Sequence, residues 1–180
     1  MKYLIFFSSI ILYSCAAVPI TKYATSQVNE NSNFTVKADL NSCWDKLNQL
    51  IFLEKYNIRS QYKSDASGSL RIEMVHVNIS YIDEKTNKIA DTSAILLGDV
   101  RKRINNGFMV YPKAANVECV ISLNKTGEDL INVIVSFDRT CTLTEYIENF
   151  YLEKRKKFPN VEIKSTGKFE ERLRQILSKQ

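Results

Sequence analysis

Val117-Glu118-Cys119-Val120-Ile121-Ser122-Leu123-Asn124-Lys125-Thr126-Gly127-Glu128-Asp129-Leu130-Ile131-Asn132-Val133-Ile134-Val135-Ser136-Phe137 is the stretch that decides the fold. Val117, Cys119, Ile121 and Leu123 recur at every second position. Asn124 to Asp129 then supplies turn chemistry, and Ile131, Val133, Val135 and Phe137 recur on the return. A period of two puts each set on one side of a pleated strand, so the segment reads as an antiparallel hairpin with one strongly apolar face. Such a face must be covered, and helices are the natural cover.

Working outward, Leu40, Cys43, Trp44, Leu47, Leu50 and Ile51 follow helical spacing within Asp39–Tyr56, with Asp39 or Asn41 available as N-cap. Trp44 lies in that stripe and reads as core. A second hairpin follows. Ile58–Ser64 is strand-like, Asp65–Ser69 is a turn, and Leu70, Ile72 and Met74 alternate with Arg71 and Glu73. The apolar phase then slips to Val75, Val77, Ile79 and Tyr81, which predicts a bulge or edge transition near Met74-Val75. On that phasing His76 is outward.

Residues 83–115 are less regular. Asp83–Lys88 reads as a polar turn, and Thr92–Ile104 as loosely helical through Ile95, Leu96, Val100 and Ile104. Asn105–Gly107 is a break, and Phe108–Pro112 an apolar run suited to the core or to a partner. Thr142–Phe158 fits either a helix or a strand and ends at Pro159. A C-terminal helix is expected to bury Phe169, Leu173, Ile176 and Leu177. Ser165 or Thr166 would cap it, and Glu170-Glu171 would occupy its first turn. The expected fold class is α+β: an antiparallel sheet of about four or five strands with one face covered by helices.

Composition bounds the chemistry. The net charge is +5, which does not indicate a nucleic-acid partner. Arg101–Arg103 and Lys154–Lys157 are basic runs suited to a solvated face, or to anionic headgroups or cell-wall polymer. Cys43, Cys119 and Cys141 do not form a C-x-x-C pair, and spacing alone does not choose a disulfide; Cys43 falls on the apolar helix face as a buried thiol. With His76 as the single histidine, a zinc site is disfavoured and no metal or cofactor is expected. There is no G-x-S-x-G elbow, H-E-x-x-H or phosphate-cradling glycine loop. Glu128-Asp129 is better explained by a turn than by catalysis. No catalytic residue is assigned, and a non-enzymatic protein is expected.

Residues 1–15 carry the strongest indication of location. Lys2 is followed by an apolar segment from Leu4 to Tyr13, too short to span a bilayer, and then by Leu12-Tyr13-Ser14-Cys15. This resembles the lipobox of bacterial lipoproteins. The resemblance implies removal of residues 1–14, diacylglycerol on the Cys15 thiol and often a further acyl chain, which together give stable anchoring. Ala16 after the cysteine favours, by the same analogy, the outer membrane, with the domain facing the periplasm. A plain secretory signal cut after Ala16 or Ala17, or an N-terminal strand with an incidental cysteine, are the other readings. The segments are then a signal at 1–14, a lipidated flexible tether at 15–33 and a single domain at 34–180; the mature charge is +4, because residues 1–14 hold one lysine and no acid. The order of elements over 34–180 also resembles the helix-grip domains of outer-membrane assembly lipoproteins. The expectation is a tethered scaffold or assembly accessory binding another envelope protein. The alternative is a carrier of lipid or cell-wall fragments between sheet and helix.

Overall fold

The computed structural model describes residues 17–20, 33–103, 109–149 and 160–179. The decisive hairpin forms as the alternation requires. Strand β9 (Met109–Gly127) and strand β10 (Leu130–Phe137) pair antiparallel around the two-residue loop Glu128-Asp129. Cys119, Ile121, Leu123, Ile131, Val133 and Val135 are fully enclosed. At about 1.5–3 kcal/mol for each large apolar side chain removed from water, this ridge contributes substantially to the core's stability.

Helix α1 (Leu40–Leu53) starts at Asp39, whose carboxylate accepts a 2.9 Å hydrogen bond from the Ser42 N–H. It buries Leu40, Cys43, Leu47, Leu50 and Ile51, the stripe read from the sequence, and packs against β9 and β4 (Ser67–Ser80). Strand β3 (Asn57–Lys63) pairs with β4, completing the second hairpin. Strand β2 (Asn33–Lys37) pairs with β10, and helix α2 (Lys168–Leu177) rests on β2 and α1.

The sheet is larger than the expected four or five strands, and it is mixed. Ten described strands belong to it, eight of them in the order β1-β8-β9-β11-β12-β7-β4-β3, with β10 and β2 branching from β9. Here β1 is Ala17–Ile20, β7 Leu96–Gly98, β8 Val100–Arg103, β11 Thr140–Asn149 and β12 Asn160–Ser165. The β4–β7 pairing is parallel. Because β9 also pairs with β4, strands β4, β7, β12, β11 and β9 form a closed hydrogen-bonded circuit. A separate two-strand ribbon joins β5 (Ile82–Asp83) to β6 (Lys88–Ile89). Its turn is held by Asp83, which accepts from the Lys85 and Thr86 N–H groups.

Two sequence expectations are corrected here, and two segments without a single expectation are assigned. The described part of Thr92–Ile104, residues 92–103, is not helical: it supplies β7 and β8. Leu96 and Leu97 are both enclosed, as expected for a strand with neighbours on both edges and both faces, so no alternation marks them. Thr142–Phe158 resolves as strand over its described part. Asn160–Ser165 is a strand for which no element was expected, although Val161 and Ile163 alternate with Glu162 and Lys164 and are buried. Helix α2 is preceded by Gly167 at φ 83° in the N-cap position, not by Ser165 or Thr166. Their hydroxyls are used elsewhere: Thr166 Oγ1 donates toward the Ala94 and Ile95 carbonyls at 3.0 Å, and Ser165 Oγ donates to Glu170 at 2.8 Å.

Candidate functional site

Two surfaces stand out. The first begins where α1 stops. Glu54 caps the helix, Lys55 adopts φ 55°, and the Lys55 and Tyr56 N–H groups bond back to the Phe52 and Ile51 carbonyls. This double return is a Schellman stop with lysine in the position usually given to glycine. The chain then enters β3, and Arg59 and Asn57 fix that strand to β4 through the Glu73 carboxylate at 2.7 and 3.2 Å. Those two bonds, Asn57 first, hold the Glu73 carboxyl below its usual range.

Every residue of β3 is exposed, and β3 terminates the described sheet path. Phe52 at 82% and Leu53 at 66% exposure lie at the end of α1, and Ile58 and Tyr62 are exposed on β3. An unpaired strand edge beside exposed large apolar side chains is an adhesive surface.

The second surface surrounds His76. Pairing of β4 with β9 shifts between Met74 and Val77, at the bulge expected from the phase slip. Val75 and His76 are both exposed, while Val77 and Ile79 resume the buried set, so Val75 leaves the inward series in which the sequence reading placed it. His76 has φ 55°, a left-handed conformation uncommon for a residue with a side chain. It is fixed by a 3.0 Å bond from its N–H to Asn116 Oδ1 and a 3.1 Å contact between Nδ1 and Thr144 Oγ1. Its Nε2 lies 3.8 Å from Glu145 Oε2, and Lys113 Nζ donates to Glu145 Oε1 at 3.2 Å.

An open cavity of about 470 Å3 lies here, bounded by residues of β4, β9 and β11 and by Ala90-Asp91. Asp91 accepts from the Ser93 N–H and hydroxyl and from Asn78 Nδ2, all within 2.8 Å, and these bonds hold its carboxyl below the usual range. His76 is therefore not isolated on the surface. Its companions Lys113 and Glu145 come from β9 and β11, too distant in sequence for any local motif to reveal. The phase slip was the only available signal.

The other sequence-selected residues are placed as follows. Cys15, residues 1–14, Phe108 and Lys154–Lys157 lie outside the described residues. Cys43, Cys119 and Cys141 are separate buried thiols. Burial pushes Cys141 up to about 12 and raises Cys119 further above its ordinary value. Trp44 is partly buried against the core, with Lys63 Nζ 5.7 Å from its ring. Met109 and Tyr111 are half-buried at the start of β9, and the Tyr111 ring packs against Tyr81 at 4.8 Å. Glu170 and Glu171 lie in the first turn of α2 as expected, but Glu170 is buried there: it is 2% exposed, with Oε1 unpartnered, and burial raises its pKa. Among the described residues no cluster of His, Cys, Asp or Glu is arranged to hold a metal ion, and no helix is long and apolar enough to cross a membrane. Compared with known proteins, the chain matches no family model, no curated protein and no solved structure.

Proposed function

We propose that this chain is a non-enzymatic, lipid-anchored envelope protein whose domain binds another envelope protein through β3 and the end of α1. The observation that carries the reading is the β3 edge, exposed along its whole length and flanked by Phe52 and Leu53. An extended partner segment can add to such an edge by main-chain hydrogen bonds, while the neighbouring apolar side chains set specificity.

Two further features support it. The strands β3–β4–β9–β10–β2 are antiparallel throughout, with α1 and α2 packed on them, and we read this part as the helix-grip-like unit within the larger sheet. The space between α1 and the sheet is filled by Leu47, Leu50, Ile51, Leu70, Ile72 and Ile121, which favours a partner-binding module over a carrier with a cavity there. The address rests on resemblance alone: Leu12–Cys15 supports an acyl anchor on Cys15, and Ala16 after it supports an outer-membrane position with the domain facing the periplasm.

Palmitate labelling and membrane fractionation of wild type and Cys15→Ala test the address; loss of both label and membrane association in the variant is expected. Photo-crosslinkers placed at Tyr62 and Phe52 in the full chain test the surface. A single discrete envelope adduct should form at both positions, fail at Glu128, and disappear in Leu53→Asp. Equal adducts from Glu128 would overturn the reading.

A further inference from the structure

We propose that the groove at the His76 bulge binds a segment of neutral oligosaccharide. None of its lining residues belongs to β3 or α1, so this inference does not rest on the partner-binding surface. The volume of about 470 Å3 falls within the range of small-molecule sites, about 300–1,000 Å3, and suits one or two sugar rings.

The register builds the site across three strands. Ala114 of β9 is paired on one side with Asn78 of β4 and on the other with Glu145 of β11. A small residue thus separates two hydrogen-bonding side chains that both line the groove. Asp91 closes one side and His76 and Lys113 another. Both carboxylates are already oriented, Asp91 by Ser93 and Asn78, Glu145 by Lys113, so little side-chain freedom is lost when a ligand enters. Each retains acceptor capacity beyond those bonds, and Lys113 retains donors.

That inventory fits vicinal hydroxyls, which donate and accept at neighbouring positions. Tyr81, Pro112 and Ile147 supply apolar lining for the C–H face of a sugar ring. The competing ligand classes fit less well. An anion would meet two carboxylates against one lysine. A lipid tail would meet a groove crowded with charge. An extended peptide would need a free strand edge, whereas at the centre of the groove β9 is paired on both edges, Ala114 with Asn78 of β4 and with Glu145 of β11.

The test is calorimetric titration of the full chain with chitotetraose, cellotetraose and inorganic phosphate. Saturable binding of at least one sugar below about 1 mM is expected, with none of phosphate. Ala90→Trp, at an exposed position on the groove wall, should weaken binding tenfold or more without moving the thermal midpoint, and Glu145→Gln should do the same. Lys125→Ala, on the distant hairpin, should leave affinity unchanged. Absence of sugar binding up to about 10 mM overturns the proposal, as does preference for phosphate or an affinity that survives Ala90→Trp. If Glu145→Gln fails to fold, Ala90→Trp decides alone.

Discussion

Gly68 lies directly against Trp44: a methyl carbon at residue 68 would sit 2.6 Å from Cζ3 and 2.7 Å from Cε3 of the indole. The strand β4 and the helix α1 approach each other at this point because one of them lacks a side chain. Trp44 is partly buried against the core, so moving its indole aside gives up packing contacts. Gly68→Ala is expected to destabilise the fold by about 1–3 kcal/mol, the usual cost of overpacking. Urea titration of the two proteins measures it, and an unchanged midpoint would show that the indole swings freely.

Lys55 holds a left-handed conformation at the stop of α1, which costs a residue with a Cβ about 1–2 kcal/mol. Glycine removes that cost and adds some unfolded-state entropy. Lys55→Gly should therefore raise stability by about 0.5–1 kcal/mol. Thermal or chemical unfolding decides the sign.

Glu170 carries a pH dependence whose direction follows from burial. Its folded pKa is raised from the ordinary 4.5, with the Ser165 hydroxyl opposing the shift only in part. Below the unfolded value the group is protonated in both states and its contribution to stability is fully present. As pH rises toward the folded value the unfolded chain loses its proton first, and that contribution is lost. Glu170→Gln removes the effect, so its stability advantage over wild type should grow with pH and then level off. Unfolding midpoints compared between about pH 5 and 8 show this, and a pH-independent difference would mean that Glu170 ionises normally.

Cys43, Cys119 and Cys141 are enclosed and unbridged, two of them with strongly raised pKa values. Thiolate, not thiol, is the reactive species. In Cys15→Ala, Ellman's reagent should find no reactive thiol in the native protein and three after denaturation without reductant. A count of one after denaturation would reveal a disulfide.

Strand β1 begins two residues after Cys15, and its register sets Ala17, Val18 and Pro19 opposite Arg103, Lys102 and Arg101. If Cys15 carries the anchor, the strand that starts two residues after it is paired with β8, whose sequence is basic. Replacing all three with glutamine in Cys15→Ala should weaken binding to phosphatidylglycerol vesicles by about 1 kcal/mol per residue at low salt. Phosphatidylcholine vesicles should show no difference, and about 0.5 M salt should abolish it.

What could be read from the sequence was whatever is coded locally. The β9–β10 hairpin, the α1 stripe with its Asp39 cap and the bulge before Val77 each announce themselves within one short, continuous stretch of sequence. Strand β7 does not, because Leu96 and Leu97 are enclosed on both faces and leave no alternation to read. Strand β12 does alternate, with Val161 and Ile163 inward, but at six residues after a proline it is too short to stand out by itself. The Ser165 and Thr166 hydroxyls looked like caps because their actual partners, Glu170 and the Ala94 and Ile95 carbonyls, come from tertiary packing. The His76 groove was hidden for the same reason: its members are assembled by register between strands.

The closed circuit of β4, β7, β12, β11 and β9 sets the order in which a nascent chain can finish. The strand that completes it, β12, is the penultimate described element, while β7 lies far upstream. A chain emerging N-terminus first must hold the flanks of β7 and β11 open until residues 160–165 arrive. A product truncated before them would present sticky strand edges, not a smaller folded protein. Completion of the ring thus divides chains that include residues 160–165, which can close it, from shorter ones, which cannot.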